Sequence, residues 1–210
     1  MIDLASFLLF VGASAVALAI PGPTVALVIT RSLTDGRRVS VPLALGIGAG
    51  TLVGSALALA GAGAVLLASA TAFTILKLIG AAYLVYLGIK LLRSEPTPPD
   101  TTATLEKGST LRGLRDGFLV TMLNPKSIAF SVAFIPQFIA PNGNYAVQAA
   151  VLTITFTALA TLNGLVFALG TDVLRRFVRR VEVLRWVNKT GGGLMIASGV
   201  TGLFLKRPAI

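Results

Sequence analysis

The chain has 210 residues, of which 55% are hydrophobic and only 12% charged, with a formal net charge of +10 and a mean hydropathy of +0.86. Soluble domains carry about 45–50% apolar and about 25% charged residues, so this composition excludes an ordinary soluble domain. Cysteine and histidine are both absent, which removes thiol nucleophiles, disulfides, thiolate zinc sites and imidazole relays. The positive charge lies between apolar runs, where membrane topology accounts for it, and no nucleic-acid motif accompanies it. No nucleic-acid partner is expected.

Leu4 to Thr30, Val39 to Leu76 and Ser127 to Thr171 contain no charge. A membrane-spanning helix needs about 20 apolar residues, so the two longer runs must each fold back on themselves. The pattern predicts an all-α polytopic membrane protein with six transmembrane helices. The first covers 4–30. Ala17-Leu18-Ala19 resembles a signal-peptide cleavage site, but no Lys or Arg precedes Arg31, so the segment reads as a retained span. A basic loop with Arg31, Arg37 and Arg38 surrounds Asp35-Gly36.

The second span, 39–67, carries Gly46, Gly50 and Gly54 on one face, a row that allows close helix approach. Gly80 and Gly88 are packing glycines of the same kind. The run Gly46-Ile47-Gly48-Ala49-Gly50 is no nucleotide fingerprint, because it lacks a glycine three residues after the second one. A small turn at 69–71 leads to the third span, 73–92, with Lys77 near its outer end, either snorkelling or taking part in coupling. Residues 93–115 form a hydrophilic linker opened by Pro96, Pro98 and Pro99. The fourth span is 117–138. A turn at Pro141-Asn142-Gly143-Asn144 precedes the fifth, 145–171. Residues 172–189 alternate basic and apolar side chains as an interfacial segment does, and the sixth span is 190–205. Asp116 and Asp172 sit at span ends, as boundary charges or as sites for coupling protons.

Lys and Arg gather in loops one–two, three–four and five–six, and the opposite loops hold none. The positive-inside rule then makes those loops cytoplasmic and puts both termini outside.

Two tripeptides stand out. Asn124-Pro125-Lys126 sets a charge and a helix breaker inside an apolar run, and Pro21-Gly22-Pro23 interrupts the first span. A lysine at bilayer depth costs about 2.5–3.5 kcal/mol and normally faces a cavity or a partner. Asn is a preferred N-cap and Pro a preferred first helical residue, so each site reads as a helix restart. Pro125 lies nine residues after Asp116, and Gly22 nine before Arg31. At 1.5 Å per residue, both breaks lie about 13 Å from those charges, near the middle of a core about 30 Å thick. Two half-helix N-termini and the Lys126 ammonium would make a positive site for a carboxylate. The chain reads as a single transmembrane domain, with repeat one at 1–92, a cytoplasmic linker at 93–115 and repeat two at 116–210. An odd number of spans per half makes the repeats inverted, with helices 1 and 4 interrupted, which is a pattern of secondary transporters.

These residues resemble those of the LysE/RhtB amino-acid exporter superfamily. The likeness rests on Pro21-Gly22-Pro23, the Gly46/Gly50/Gly54 row, Lys77-x-x-Gly80-x-x-Tyr83-Leu84-x-Tyr86-Leu87-Gly88 and Asn124-Pro125-Lys126, and covers nearly the whole chain. It implies export of amino acids or related small metabolites across the bacterial inner membrane, coupled to an ion gradient, the proton gradient by expectation. Pro21, Gly22, Pro23, Asn124, Pro125 and Lys126 are the expected substrate-binding residues, with Lys77, Asp116 and Asp172 as candidates for coupling or gating. Whether Lys126 holds substrate or carries a proton is open. No catalytic residue, cofactor or metal is expected. The expected partners are an amino-acid-like small molecule and the lipid bilayer, with association into homo-oligomers left open. A membrane scaffold subunit and a channel are the competing readings.

Overall fold

The structure, a computed structural model, describes residues 2–20, 23–95, 108–140, 143–170 and 180–204. The described residues form helices joined by short turns, with no strand among them. Helix α1 (Leu4–Ala19) opens at Asp3, whose carboxylate accepts the Ser6 N–H at 2.9 Å. It stops at Ile20, just before Pro21 and Gly22, which lie outside the described residues. Helix α2 (Pro23–Thr34) resumes with Pro23 as its first residue, where a missing N–H forfeits no helical hydrogen bond. Leu4–Ala19 and Thr24–Ser32 are bent by 59°. The turn into α3 (Arg37–Ala68) passes through Gly36 at φ +69°, a left-handed conformation that glycine adopts without steric cost.

Only Ser69 separates α3 from α4 (Ala70–Arg93). Then come α5 (Thr110–Met122), α6 (Pro125–Ala133), a 3-10 turn (Ile135–Phe138), α7 (Tyr145–Leu169) and α8 (Val181–Phe204). Residues 37–65 and Tyr145–Leu169 are each long and apolar enough to cross a membrane, and the bent α1–α2 pair makes a third such segment.

Three boundaries depart from the sequence reading. Residues 108–115 are not linker: the Ser109 hydroxyl caps α5 by accepting the Arg112 N–H at 3.2 Å, and the helix begins seven residues before the expected Gly117. Arg112, Arg115 and Asp116 made this stretch look like loop, yet Gly113, Gly117 and Thr121, spaced four apart, form a buried stripe. Residues 181–189 are continuous with α8, so the last helix begins nine residues before the expected 190, while 172–179 fall outside the described residues. Lys77 sits eight residues into α4 rather than at its start, and its side chain lies outside the described set.

Helix α3 is the spine, packed along α5 and α7. Its approach to α5 is backbone to backbone. A Cβ added at Gly46 would run into the Leu114 carbonyl oxygen, and one at Gly117 into that of Leu43; one at Gly50 would lie 2.6 Å from the Phe118 carbonyl oxygen. Gly54 is different: a Cβ there meets nothing within 4 Å, because α5 has already ended at that level. The expected three-glycine row is thus a two-glycine contact. Gly88 of α4 and Gly192 of α8 nest reciprocally, each added Cβ falling 2.6–2.7 Å from the other's carbonyl oxygen. The surroundings of Gly80 lie outside the described residues.

Two larger apolar clusters stand out among the described residues, beside a small one at Ala62, Val65 and Tyr145. Phe10, Phe130, Phe134 and Phe156 gather with Leu59 and Leu152, and the rings stack at centroid distances of 4.3–5.8 Å. Val25, Val28, Ile29, Leu43, Ile47 and Phe167 make the second cluster. The α3–α5 contact yields a direct test. Gly117→Ala is expected to cost about 1–3 kcal/mol through overpacking, read as a lower melting temperature in detergent. Gly54→Ala should leave the melting temperature unchanged.

Candidate functional site

At the second interruption, α5 ends at Met122 and α6 begins at Pro125. The Asn124 N–H donates to the Thr121 carbonyl at 3.2 Å, and the Asn124 carbonyl accepts the Ile128 N–H at 3.1 Å. Asn124 therefore stands at the N-cap position with Pro125 first in the new helix, the restart expected from sequence. At the first interruption, the Asn163 side chain of α7 donates to the Leu18 carbonyl at 3.2 Å, covering an acceptor near the end of α1.

The two interruptions open on one cavity of about 80 Å³. Ile20 and Thr24 line it from the first break, and Asn124 and Ser127 from the second. Thr51 of α3, Thr121 of α5 and Asn163 of α7 add polar groups, and Val25, Val28, Ile47, Phe130, Phe156 and Phe167 form apolar walls. The N-terminal ends of α2 and α6 both border this space. Their first N–H groups have no intrahelical acceptor and carry the positive end of the helix dipole. Among the described residues no charged side chain lines the cavity. Its size suits a ligand of a few heavy atoms, since drug-sized ligands need about 300–1,000 Å³. A side pocket of about 10 Å³, lined by Thr51, Ser55, Thr121, Ser127 and Ser131, adjoins it. There Ser55 Oγ and Ser131 Oγ lie 2.8 Å apart.

An ion cluster closes the fold on one side of the cavity. Arg31, at the end of α2, is 5% exposed. Its guanidinium meets Asp35 Oδ2 at 2.9 Å and Asp116 Oδ2 of α5 at 3.3 Å. Arg115 reaches the other Asp116 oxygen at 3.2 Å. Asp35 also accepts the Gly108 N–H at 3.0 Å and the Thr34 hydroxyl at 3.1 Å. The Gly108 N–H above all, then Arg31 and Thr34, hold the Asp35 carboxyl below its ordinary 3.8, against the opposing effect of burial.

The aromatic cluster lies on the other side, where Phe10 of α1 stacks on Phe134 of the α6 end at 5.8 Å. The chain runs from the aromatic cluster to the ion cluster along α1–α2 and returns along α5–α6. The two interrupted helices are therefore antiparallel, joined at both ends and open to one cavity between.

Of the residues singled out in the sequence, Asn124 is at the cavity, and Pro23 and Pro125 begin the two helices that border it. The side chains of Pro23, Pro125 and Lys126 lie outside the described set, as do Pro21, Gly22 and Asp172 altogether. Asp116 is not a helix-end charge but sits mid-α5 in the ion cluster. Sequence reasoning missed Arg31, Thr24, Thr51, Thr121, Ser127 and Asn163. Arg31 was hidden by its place beside a basic loop. Asn163 was visible as a carboxamide inside a 45-residue charge-free run, a position that wants a partner.

Comparison with known proteins gives the family. The LysE type translocator family profile matches residues 15–205, and the chain belongs to that family. A membrane protein of Vibrio cholerae, named only as uncharacterized, is 34% identical over 86% of this chain and 87% of its own length. YrhP of Bacillus subtilis, likewise named an uncharacterized membrane protein, is 29% identical over 94% of this chain and 99% of its own. The homoserine/homoserine lactone efflux protein of Salmonella typhimurium is 29% identical over 85% of this chain and 86% of its own. No solved structure matches. The protein is thus a multi-pass membrane protein of the LysE translocator family.

The ion cluster generates two expectations. Arg31→Met leaves the buried Asp35 without its cation and Asp116 with Arg115 alone; it should cost up to about 3–5 kcal/mol, the scale for breaking a buried pair from one side, seen as a large drop in melting temperature in detergent. A carboxyl held below its unfolded value stabilises at pH above that value and loses its effect as pH falls through the lowered one. The melting-temperature gap between wild type and Asp35→Asn should accordingly be full above about pH 4 and close in stronger acid.

Proposed function

We propose that this translocator exports amino acids or related small metabolites from the bacterial cytoplasm, driven by the proton gradient. The observation that carries the reading is that both helix interruptions open on one small cavity. The substrate carboxylate sits between the N-termini of α2 and α6, where free N–H groups and the helix dipoles favour negative charge. Lys126, second residue of α6, adds its ammonium to the same end, holding the carboxylate or carrying the coupling proton. Pro21, Gly22 and Pro23 shape the first half of the site, and Asn124 and Pro125 the second.

The six-span inverted arrangement assigns α1–α2, α3 and α4 to one half and α5–α6, α7 and α8 to the other. Corresponding helices of the two halves lie in contact, α3 with α7 and α4 with α8, which supports this pairing. The loops next to the ion cluster face the cytoplasm, with both termini outside, in the inner membrane. Asp116, paired with Arg31, stands where a cytoplasmic gate belongs, and Lys77 and Asp172 remain candidates for coupling. The name of the Salmonella relative makes homoserine and its lactone the first substrates to try.

The test is counterflow in proteoliposomes. Wild type should show saturable uptake of labelled L-homoserine, stimulated by unlabelled homoserine inside. Lys126→Gln should lower it at least tenfold at an equal protein level, and an undiminished rate would remove Lys126 from the mechanism. Flux that neither saturates nor responds to internal substrate would point to a channel.

A further inference from the structure

We infer that Thr121 is the residue that selects for an uncharged oxygen on the substrate's side chain. The inference rests on the transport reading above and deepens its cavity. Thr121 is 4% exposed, and its Oγ1 is buried without a hydrogen-bond partner. Threonine in a helix ordinarily discharges its hydroxyl onto the carbonyl four residues earlier. Thr30, Thr51, Thr155, Thr161 and Thr190 all do so at 2.8–2.9 Å. Thr121 does not. The hydroxyls of Ser14, Ser40 and Thr157 are also buried and unpartnered, but none of these residues lines the cavity, whereas Thr121 lines both the cavity and its side pocket.

The position of Thr121 is fixed. Gly50 of α3 lets α5 come close enough that an added Cβ there would be 3.1 Å from Thr121 Cβ. At the same time the Thr121 carbonyl receives the Asn124 N–H. A buried hydroxyl with no partner carries a desolvation cost that a ligand oxygen can relieve, and a hydroxyl offers one donor and two acceptor positions to do it. Thr121 lies three residues before Asn124, about 5 Å along the helix. That is about the span of a small amino acid from its carboxylate to an oxygen two carbons beyond the α-carbon. With no charged side chain among the described lining residues, a cationic side chain would be buried without a counter-charge. The ligand class is thus a small amino acid with a free carboxylate and a neutral side-chain oxygen.

The experiment compares L-homoserine with L-norvaline, in which a methyl group replaces the hydroxyl. Both are measured by counterflow in the same proteoliposomes, so the amount of folded protein cancels in the ratio. Wild type should prefer homoserine. Thr121→Val should lower the homoserine-to-norvaline ratio about 5- to 10-fold, the scale of one neutral hydrogen bond, and Thr121→Ser should keep it. If valine is not tolerated, Thr121→Ala removes the same hydroxyl and is read the same way. A wild type without preference, or an unchanged ratio in the variants lacking the hydroxyl, overturns the inference while leaving transport intact; an unchanged ratio is also what a bound water alone at Thr121 would give. Counterflow of neither amino acid by wild type overturns the transport reading and this inference together.

Discussion

The Arg31 cluster is the constraint on which the arrangement of this fold depends. An arginine that is 5% exposed must be compensated, and here it draws in one carboxylate from its own turn and one from a helix 85 residues away. That contact sets α2 against α5 at a fixed height. The first break lies nine residues before Arg31 and the second nine after Asp116. Two helices pinned at these charges and running in opposite senses therefore bring their interruptions to one level. The ion pair thus turns two equal spacings in the sequence into a common level in the fold.

Close backbone packing makes that register rigid. Gly46 and Gly50 on α3 and Gly113 and Gly117 on α5 let the two backbones touch, so α5 does not slide along α3 without collision. Where α5 ends, the contact ends, and the space beside Gly54 and Ser55 becomes the small side pocket. That side pocket is thus the direct result of stopping a tightly packed helix short. On the far side of the cavity the stacked rings of Phe130, Phe134 and Phe10 fill the volume. Across the site, an ion network and an aromatic stack face one another with a hydroxyl-lined space between.

Electrostatics within the site follows the same economy. The described lining offers hydroxyls, carboxamides and helix N-termini rather than formal charges. Under the proposed transport function, such groups would hold a carboxylate through directed N–H donors and leave the rest of the ligand to neutral polar contacts. Lys126, placed by its position at the start of α6, is the formal charge that the sequence brings to this neighbourhood.

The amino-acid sequence by itself determined the class of molecule and the places where its helices break. Charge-free runs, basic loops and the pairs Gly22-Pro23 and Asn124-Pro125 are local signals, because hydropathy, capping and proline's missing N–H act within a few residues. The restart at Asn124-Pro125, the start of α2 at Pro23 and the turn at Gly36 were legible for that reason. Tertiary structure decided what distant residues do together. Arg31 and Asp116 read as boundary charges until packing placed them 3.3 Å apart, and Thr121 is an ordinary helical threonine until its neighbours leave its hydroxyl without an acceptor. Gly54 matched the spacing of Gly46 and Gly50, yet the helix that would have met it had already stopped. Pairing, burial and satisfaction of polar groups depend on which helices come into contact, and that is settled by the whole chain rather than by any window of it.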